Sequence, residues 1–342
     1  MLNQFIKMAE NGLIPDYLIK LGIRKLCRER LTWAKDLGER GIKANKRYWV
    51  EKLKVSPIAL VPEKANEQHY EVPPRFFEIV LGENLKYSSG YWENESVSLD
   101  KSELDMLELS SKHADLSDDM DILELGCGWG SFTFYMANKF KDSRITAVSN
   151  SKDQRIYIQE KCKRLGVENI NVITCDMNDF NIDNKFDRVV SIEMFEHMRN
   201  YKKLLSNIGT FLKDDGKLFV HIFTHKDLVY PYEDNGPGDW MAREFFSGGL
   251  MPSHDLLQEF QDDLKITNTW RISGLNYMRT SYAWLNKMDK NKTEVISIFK
   301  ETYGQDASKW YYRWRIFFMA CGEMFGINDG EEWGVSHYLF RK

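Results

Sequence analysis

Residues 121–130 read Asp-Ile-Leu-Glu-Leu-Gly-Cys-Gly-Trp-Gly, DILELGCGWG. Ile122, Leu123 and Leu125 have the aliphatic character of a strand buried on both faces, with Glu124 as its one polar interruption. Gly126, Gly128 and Gly130 follow where such a strand must turn into the helix expected over Ser131–Phe140. Glycine there lets the backbone turn tightly, approach a ligand closely and pack on the next helix. The stretch reads as a nucleotide or nucleoside cradle, or as a plain turn, and the rest of the chain has to decide.

Further strands are expected at Arg144–Asn150, Asn171–Asp176, Phe186–Glu193 and Lys217–Phe223, with helices at Lys152–Leu165 and Tyr201–Leu212 between them. Strands and helices alternating at these lengths predict a parallel sheet covered on both faces. Ligands of such sheets lie beyond the carboxyl ends of the strands, where the strand order reverses. Those ends carry the glycine turn, Ser149 with Asn150, Asp176, Glu193 and His221. A dinucleotide-binding fold calls for an acid after the second strand and GxGxxG spacing. Ser-Asn and GxGxG speak against NAD or FAD. Asp176 suits an adenine amino group, whose N–H a carboxylate accepts, or else a helix N-cap.

The 342 residues carry a net charge of −4, which disfavours nucleic acid as a partner. Five cysteines without CxxC pairing predict reduced thiols and a cytoplasmic protein, not a disulfide frame or zinc module. No stretch approaches the roughly 18 apolar residues of a membrane span. Met1–Lys54 reads as helices, with Ile14, Leu18 and Leu21 at helical spacing and Lys20, Arg24, Lys25, Arg28 and Arg30 on one basic face, which reads as a solvated face before a membrane-surface contact. Pro57, Pro62, Pro73 and Pro74 make Ser56–Pro74 an irregular bridge, and Leu104–His113 resembles a helix. Lys86–Trp92, KYSSGYW, suits a ligand-wrapping loop or a surface turn with buried rings.

Glu193–His197, EMFEH, is the chemically densest stretch. On a helical turn Glu193, Glu196 and His197 would share one face. It reads as a solvated helix start, a metal site completed by His221 and His225, or an acid/base site. The tight histidine spacing of hydrolytic metal sites is missing, so no metal is expected.

DILELGCGWG, the SNS of Ser149–Ser151, the Asp176–Met177 pair and EMFEH together resemble the S-adenosylmethionine-dependent methyltransferases of the cyclopropane fatty acid synthase superfamily. Within it, the chain looks most like the alkaloid branch, the coclaurine N-methyltransferase-like enzymes. IRKLCRERL after Gly12–Pro15, YEVP at Tyr70–Pro73, FQDD at Phe260–Asp263, WLNKMDKN at Trp284–Asn291 and MFGINDGEEWGVSH at Met324–His337 extend the likeness over nearly the whole chain.

The resemblance implies a class I α/β fold: a Rossmann-like, mostly parallel seven-stranded sheet with helices on both faces, its last strands at Leu264–Ile272 and Val335–Arg341. It implies an N-terminal helical lid over residues 1–85 and a methyltransferase core over 86–342, with a helical substrate-side insertion at about 224–334. S-adenosylmethionine, leaving as S-adenosylhomocysteine, is assigned to Tyr87, Ser88, Ser89, Gly126, Gly128, Asn150, Gln154, Asp176 and Met177. Catalysis falls to Glu193, Glu196 and His197. His221, His225, Tyr277, Trp314 and Phe317 are assigned to a small aromatic amine, with Tyr232 and Trp240 at the rim. Dimers occur among relatives, so a homodimer stays open.

The lipid-cyclopropanating branch is the alternative, a transfer to unsaturated acyl chains of the cyclopropane-fatty-acyl-phospholipid synthase type. Its enzymes hold a bicarbonate base with a cysteine, a glutamate, a histidine and a tyrosine. Here Ser89 stands at the cysteine's place, while Glu196, His221 and Tyr277 resemble the other three. That branch commonly lacks the first glutamate of EMFEH, present here as Glu193. Loss of the cysteine and gain of Glu193 favour amine methylation. An intact EMFEH and glycine turn argue against a non-enzymatic cofactor-binding protein.

Overall fold

The computed structural model describes residues 2–60 and 72–342. Pro62 and the Tyr70–Glu71 half of YEVP lie outside them. Nine strands are present among the described residues: β1 Asp121–Leu125, β2 Arg144–Ser149, β3 Ile170–Thr174, β4 Phe186–Ile192, β5 Leu212–His225, β6 Tyr230–Pro231, β7 Leu250–Met251, β8 Lys265–Ser273 and β9 Trp333–Arg341. Seven form one sheet in the order β3-β2-β1-β4-β5-β9-β8, and β6 and β7 pair separately. β1 to β5 run parallel, while β9 is antiparallel to both β5 and β8.

Alternation along β1 divides the sheet's two faces. Ile122 packs with Phe132, Met136, Ile145 and Val190 on one side. Leu123 and Leu125 pack with Val189, Leu204, Leu205 and Ile208 on the other. The mostly parallel sheet expected above is present. β5 is longer than its apolar run Lys217–Phe223 at both ends: Leu212 pairs with Phe186 of β4 before the run, and antiparallel pairing with β9 continues past it to His225 opposite Trp333. Cross-strand bonding, not hydrophobicity, sets those ends.

Strands β2 and β3 lie to one side of β1, and β4 and β5 to the other, so the order reverses between β1 and β4. Gly126 and Glu193 follow these two strands directly. The reversal therefore opens a crevice between the glycine turn and EMFEH.

A third apolar cluster packs helices against one end of the sheet, through Ile272 of β8 and Trp333 and Val335 of β9. Helices Pro74–Val80, Leu275–Lys290 and Ala307–Phe325 contribute Phe76, Phe77, Trp284, Trp314, Phe317 and Phe318 to it. Helix Asp16–Lys54 bends at Gly38, whose φ of 59° is left-handed. Before the bend it joins this cluster through Ile19, Ile23 and Cys27; after it, Trp49, Val50 and Leu53 reach the sheet's core. The basic face of its first half is not wholly solvated. Arg24 pairs with Glu323, and the Arg30 guanidinium lies 4.4 Å from the centre of the Tyr230 ring. No described helix is long and apolar enough to cross a membrane.

Candidate active site

The crevice is a cleft lined by Gly126, Gly128, Asn150, Gln154, Asp176 and Met177, with Glu193 and His197 at one end. Gly126 has φ +81°, and a Cβ there would sit 2.7 Å from the Met194 side chain. Gly128 has φ +53° with open space around it, so a ligand meets bare backbone. Gln154 accepts a hydrogen bond from Ser149 Oγ at 2.6 Å, but its buried Nε2 has no partner. An orphaned donor in a glycine-walled cleft fits a ligand with hydroxyl or ring-nitrogen acceptors. Asp176 Oδ1 accepts from Asn178 N–H at 2.7 Å within a turn that no helix follows, so it caps none, and the residue lines the cleft.

EMFEH does not form a helical turn. Glu193 has a left-handed φ of 47°, and only Phe195–His197 make a short 3-10 turn. A non-glycine residue held there costs on the order of 1–3 kcal/mol and persists where its surroundings over-determine it. Those surroundings are explicit. Tyr277 Oη donates to Glu193 Oε2 at 2.6 Å, Ser89 N–H approaches Oε1 at 3.3 Å, and His221 Nε2 lies 3.2 Å from Oε1. The Glu193 backbone N–H donates to the His221 carbonyl at 2.8 Å. The turn aims the carboxylate into this nest of donors.

Burial raises the pKa of Glu193, against the opposing charge of Lys86. It pulls Lys86 down, against Glu193 and Glu103. Glu196 is also buried, and its pKa rises well above the carboxylate range, first from burial and then from the Glu193 charge. Its Oε2 has no hydrogen-bond partner. A buried carboxylate with a free oxygen and a raised pKa holds a proton more tightly than a solvated one, as a proton acceptor must.

A second, larger cavity of about 800 Å3 adjoins the cleft. Glu193, Glu196, His197, Tyr277, Phe246 and Phe317 line its inner end, and Leu2, Phe5, Ile6 and Leu18 of the N-terminal helices line its outer part. Glu193 and His197 line both cavities and mark where they meet.

The mycolic acid cyclopropane synthetase family model matches residues 61–332. The (S)-coclaurine N-methyltransferase of Papaver somniferum is 38% identical over 99% of this chain and 98% of its own. That of Thalictrum flavum subsp. glaucum is 39% identical over 99% and 95%. A crystal structure of coclaurine N-methyltransferase bound to N-methylheliamine and S-adenosylhomocysteine superposes with a TM-score of 0.96, at 36% identity and 99% coverage of both chains. The chain belongs to this family. It is an S-adenosylmethionine-dependent methyltransferase with the family's seven-stranded fold.

In this methyltransferase the residues assigned from sequence divide into groups. Gly126, Gly128, Asn150, Gln154, Asp176 and Met177 share the cleft. Tyr87 lies instead in the larger cavity, its ring against Phe77, Trp284 and Trp314. Ser88 is buried against Lys86, and Ser89 Oγ donates to the Gly90 carbonyl at 3.0 Å, so neither serine lines the cleft. Of the proposed substrate residues, Tyr277 and Phe317 line the cavity, as do Tyr232 and Trp240. Trp314 does not. It is fully buried against Phe76, Phe77 and Phe245 and belongs to the core.

His221 is fully buried beneath Glu193. His225 is elsewhere: its Nδ1 accepts from the N–H groups of Asp227 and Leu228, both at 2.9 Å, and fixes the loop after β5. The two histidines therefore do not complete a metal site with EMFEH. Sequence reasoning missed Lys86, a buried cation facing Glu193, and Phe246, whose ring lies 4.7 Å from that of His197. Lys86 opens the quoted KYSSGYW loop, and its burial was the signal absent from the sequence.

Proposed function

We propose that this methyltransferase carries the methyl group of S-adenosylmethionine to the nitrogen of a small aromatic, alkaloid-like amine. The observation that carries the reading is Glu196: a buried carboxylate with an unpartnered oxygen, lining the acceptor cavity beside the junction with the glycine-walled cleft. Acceptors of the matched relatives, named for coclaurine and bound to N-methylheliamine, are consistent with an amine.

Bound S-adenosylmethionine supplies an electrophilic methyl on a cationic sulfur. The chain's residues do the rest. Gly126 and Gly128 admit the cofactor against backbone, while Asn150, Gln154 and Asp176 are placed for its ribose and adenine. An alkylamine with a pKa of about 10.4 costs roughly 4.6 kcal/mol to deprotonate at pH 7. Glu196 accepts that proton at Oε2, and His197, lining both cavities, orients the nitrogen towards the methyl. Glu193 holds a compensating negative charge beside the cationic centre. The N-terminal helices over the outer cavity act as the lid that keeps water out. Phe246, Phe317, Tyr232 and Trp240 give flat aromatic walls for an aromatic amine or a cation over their faces.

The lipid reading keeps one point in its favour, the apolar lining from Leu2, Phe5, Ile6 and Leu18. Against it, His221 and Tyr277, the partners an added bicarbonate would need, are both engaged by Glu193, and Ser89 Oγ is turned to Gly90. A single-turnover assay with an aromatic secondary amine tests the reading. The N-methylated product forms if it is right; cofactor binding without methyl transfer to any aromatic amine refutes it.

A further inference from the structure

Beneath Glu193 runs an unbroken line of imidazoles. His221 Nε2 faces Glu193 Oε1 at 3.2 Å, and His221 Nδ1 meets His337 Nε2 at 2.8 Å. His337 Nδ1 meets His113 Nδ1 at 2.9 Å. His221 and His337 are cross-strand partners on β5 and β9, and His337 is in turn opposite Trp270 on β8. The His113 ring stacks flat on Trp270 with centroids 3.9 Å apart. His221 and His337 are fully buried, whereas His113, the last residue of helix Leu99–His113, is only partly so. The line therefore runs from the active-site carboxylate to the edge of the fold.

A neutral imidazole has one N–H and one acceptor nitrogen, so each ring's tautomer fixes the next. Burial keeps the rings neutral. It drives His221 and His337 well below the usual histidine range, and with the Lys112 charge it lowers His113 to about 4. The charged groups acting on the line are Glu193 and Lys86 at its inner end and Lys112 at its outer end; Glu103 acts on Lys86. Tyr277 and Ser89 donate to Glu193, so its carboxylate is an acceptor on this side as well. His221 must then hold its proton on Nε2, His337 on Nε2 and His113 on Nδ1.

We propose that His221, His337 and His113 form a tautomer relay through which the protonation of Glu193 equilibrates with the protein surface at His113 while the ligand cavities are closed. A proton taken up at His113 Nε2 lets the Nδ1 proton pass to His337 Nδ1. The Nε2 proton of His337 then passes to His221 Nδ1, and that of His221 to Glu193 Oε1. One proton enters and the carboxylate is neutralised; the reverse sequence restores it without any ring rotating. His337 and His113 are positioning residues that act through His221. The relay's bearing on catalysis rests on the methyl-transfer reading, but its tautomers do not.

The test uses the full-length protein labelled with 15N-histidine. Long-range 15N–1H spectra are expected to report Nε2–H tautomers for His221 and His337 and an Nδ1–H tautomer for His113. His113→Phe keeps a ring over Trp270 but removes the donor to His337. It should leave the His221 and His337 tautomers in place, because Glu193 sets them from the other end, but close the surface entry and lower kcat on the order of tenfold at pH 7 with KM unchanged. His113→Asn, whose amide nitrogen takes the Nδ1 position but takes up and passes on no proton, should keep the tautomers and remain as slow. A wild-type His337 carrying its proton on Nδ1, or a His113→Phe or His113→Asn protein whose kcat matches wild type, overturns the relay. Absence of methyl transfer with the tautomers as stated would instead refute the proposed function alone.

Discussion

Replacing Glu196 by glutamine separates chemistry from architecture at this site. Glu196 Oε2 has no partner in the protein, so an amide there breaks no hydrogen bond, and its shape is retained. Burial disfavours the charged form of Glu196, so a neutral amide in its place should leave the thermal midpoint unchanged or slightly higher. The loss falls on the base. A positioned general base contributes about 100- to 10,000-fold, and the substrate's own deprotonation is worth about 3.4 decades at pH 7. Turnover of Glu196→Gln should fall by a factor within that range at pH 7. S-adenosylhomocysteine affinity, read by calorimetry, should stay within about twofold. The deficit should also shrink as pH rises, because each unit towards the amine pKa gives about ten times more neutral amine without enzymic help. Assays of kcat at pH 7 and pH 9 with one aromatic amine measure this directly. A deficit equal at both pH values, or a parallel loss of cofactor binding, would refute the assignment of Glu196 as the base.

Other outcomes follow from the same geometry. Glu124 lies buried in β1, where desolvation raises its pKa from 4.5 to about 8 despite the Thr133 hydroxyl. The folded state then binds more protons than the unfolded chain between those values, so stability is full below pH 4.5 and falls as pH rises to 8. The full penalty is on the order of 5 kcal/mol as an upper bound. Urea unfolding of Glu124→Gln should show a shallower decline from pH 5 to pH 8, and parallel profiles would contradict the account. Gly126→Ala places a Cβ 2.7 Å from Met194 at φ +81°. It should cost about 1–3 kcal/mol of stability and weaken S-adenosylhomocysteine binding at least severalfold by calorimetry. Trp314→Ala, emptying a fully buried core position, should destabilise by about 3–5 kcal/mol in chemical denaturation. Phe317→Ala, on the cavity wall, should instead raise KM for the amine more than it lowers stability.

The central sheet was legible because parallel strands buried on both faces are apolar runs: β1 to β4 fall within a residue or two of their expected limits. The cleft was legible because its residues follow strand ends directly, with Gly126 after β1 and Asn150 after β2. What stayed hidden depends on contacts between distant parts of the chain. Trp314 and Phe317 lie three apart on one helix, yet one fills the core and the other faces the cavity. Helical spacing alone does not tell those faces apart when both are aromatic. Local spacing allows Glu193 a helical turn, whereas Tyr277, His221 and Ser89 hold it in a left-handed conformation. His337 and His113 gave no signal, since their meeting requires β9 to insert beside β5 and the helix Leu99–His113 to end against them. Lys86 sits in a polar loop whose sequence suggests exposure, and the fold buries it beside two carboxylates.

The proposed methyl acceptor is an amine nitrogen and not a lipid alkene. Methyl-labelled S-adenosylmethionine should be offered to the protein with a panel of aromatic amines and, in the same reaction, phospholipid vesicles carrying unsaturated chains. Label is expected on an amine and none in the lipid. Label in the lipid alone would contradict this reading, and would mean that Glu193 yields its place between His221 and Tyr277 to an external base.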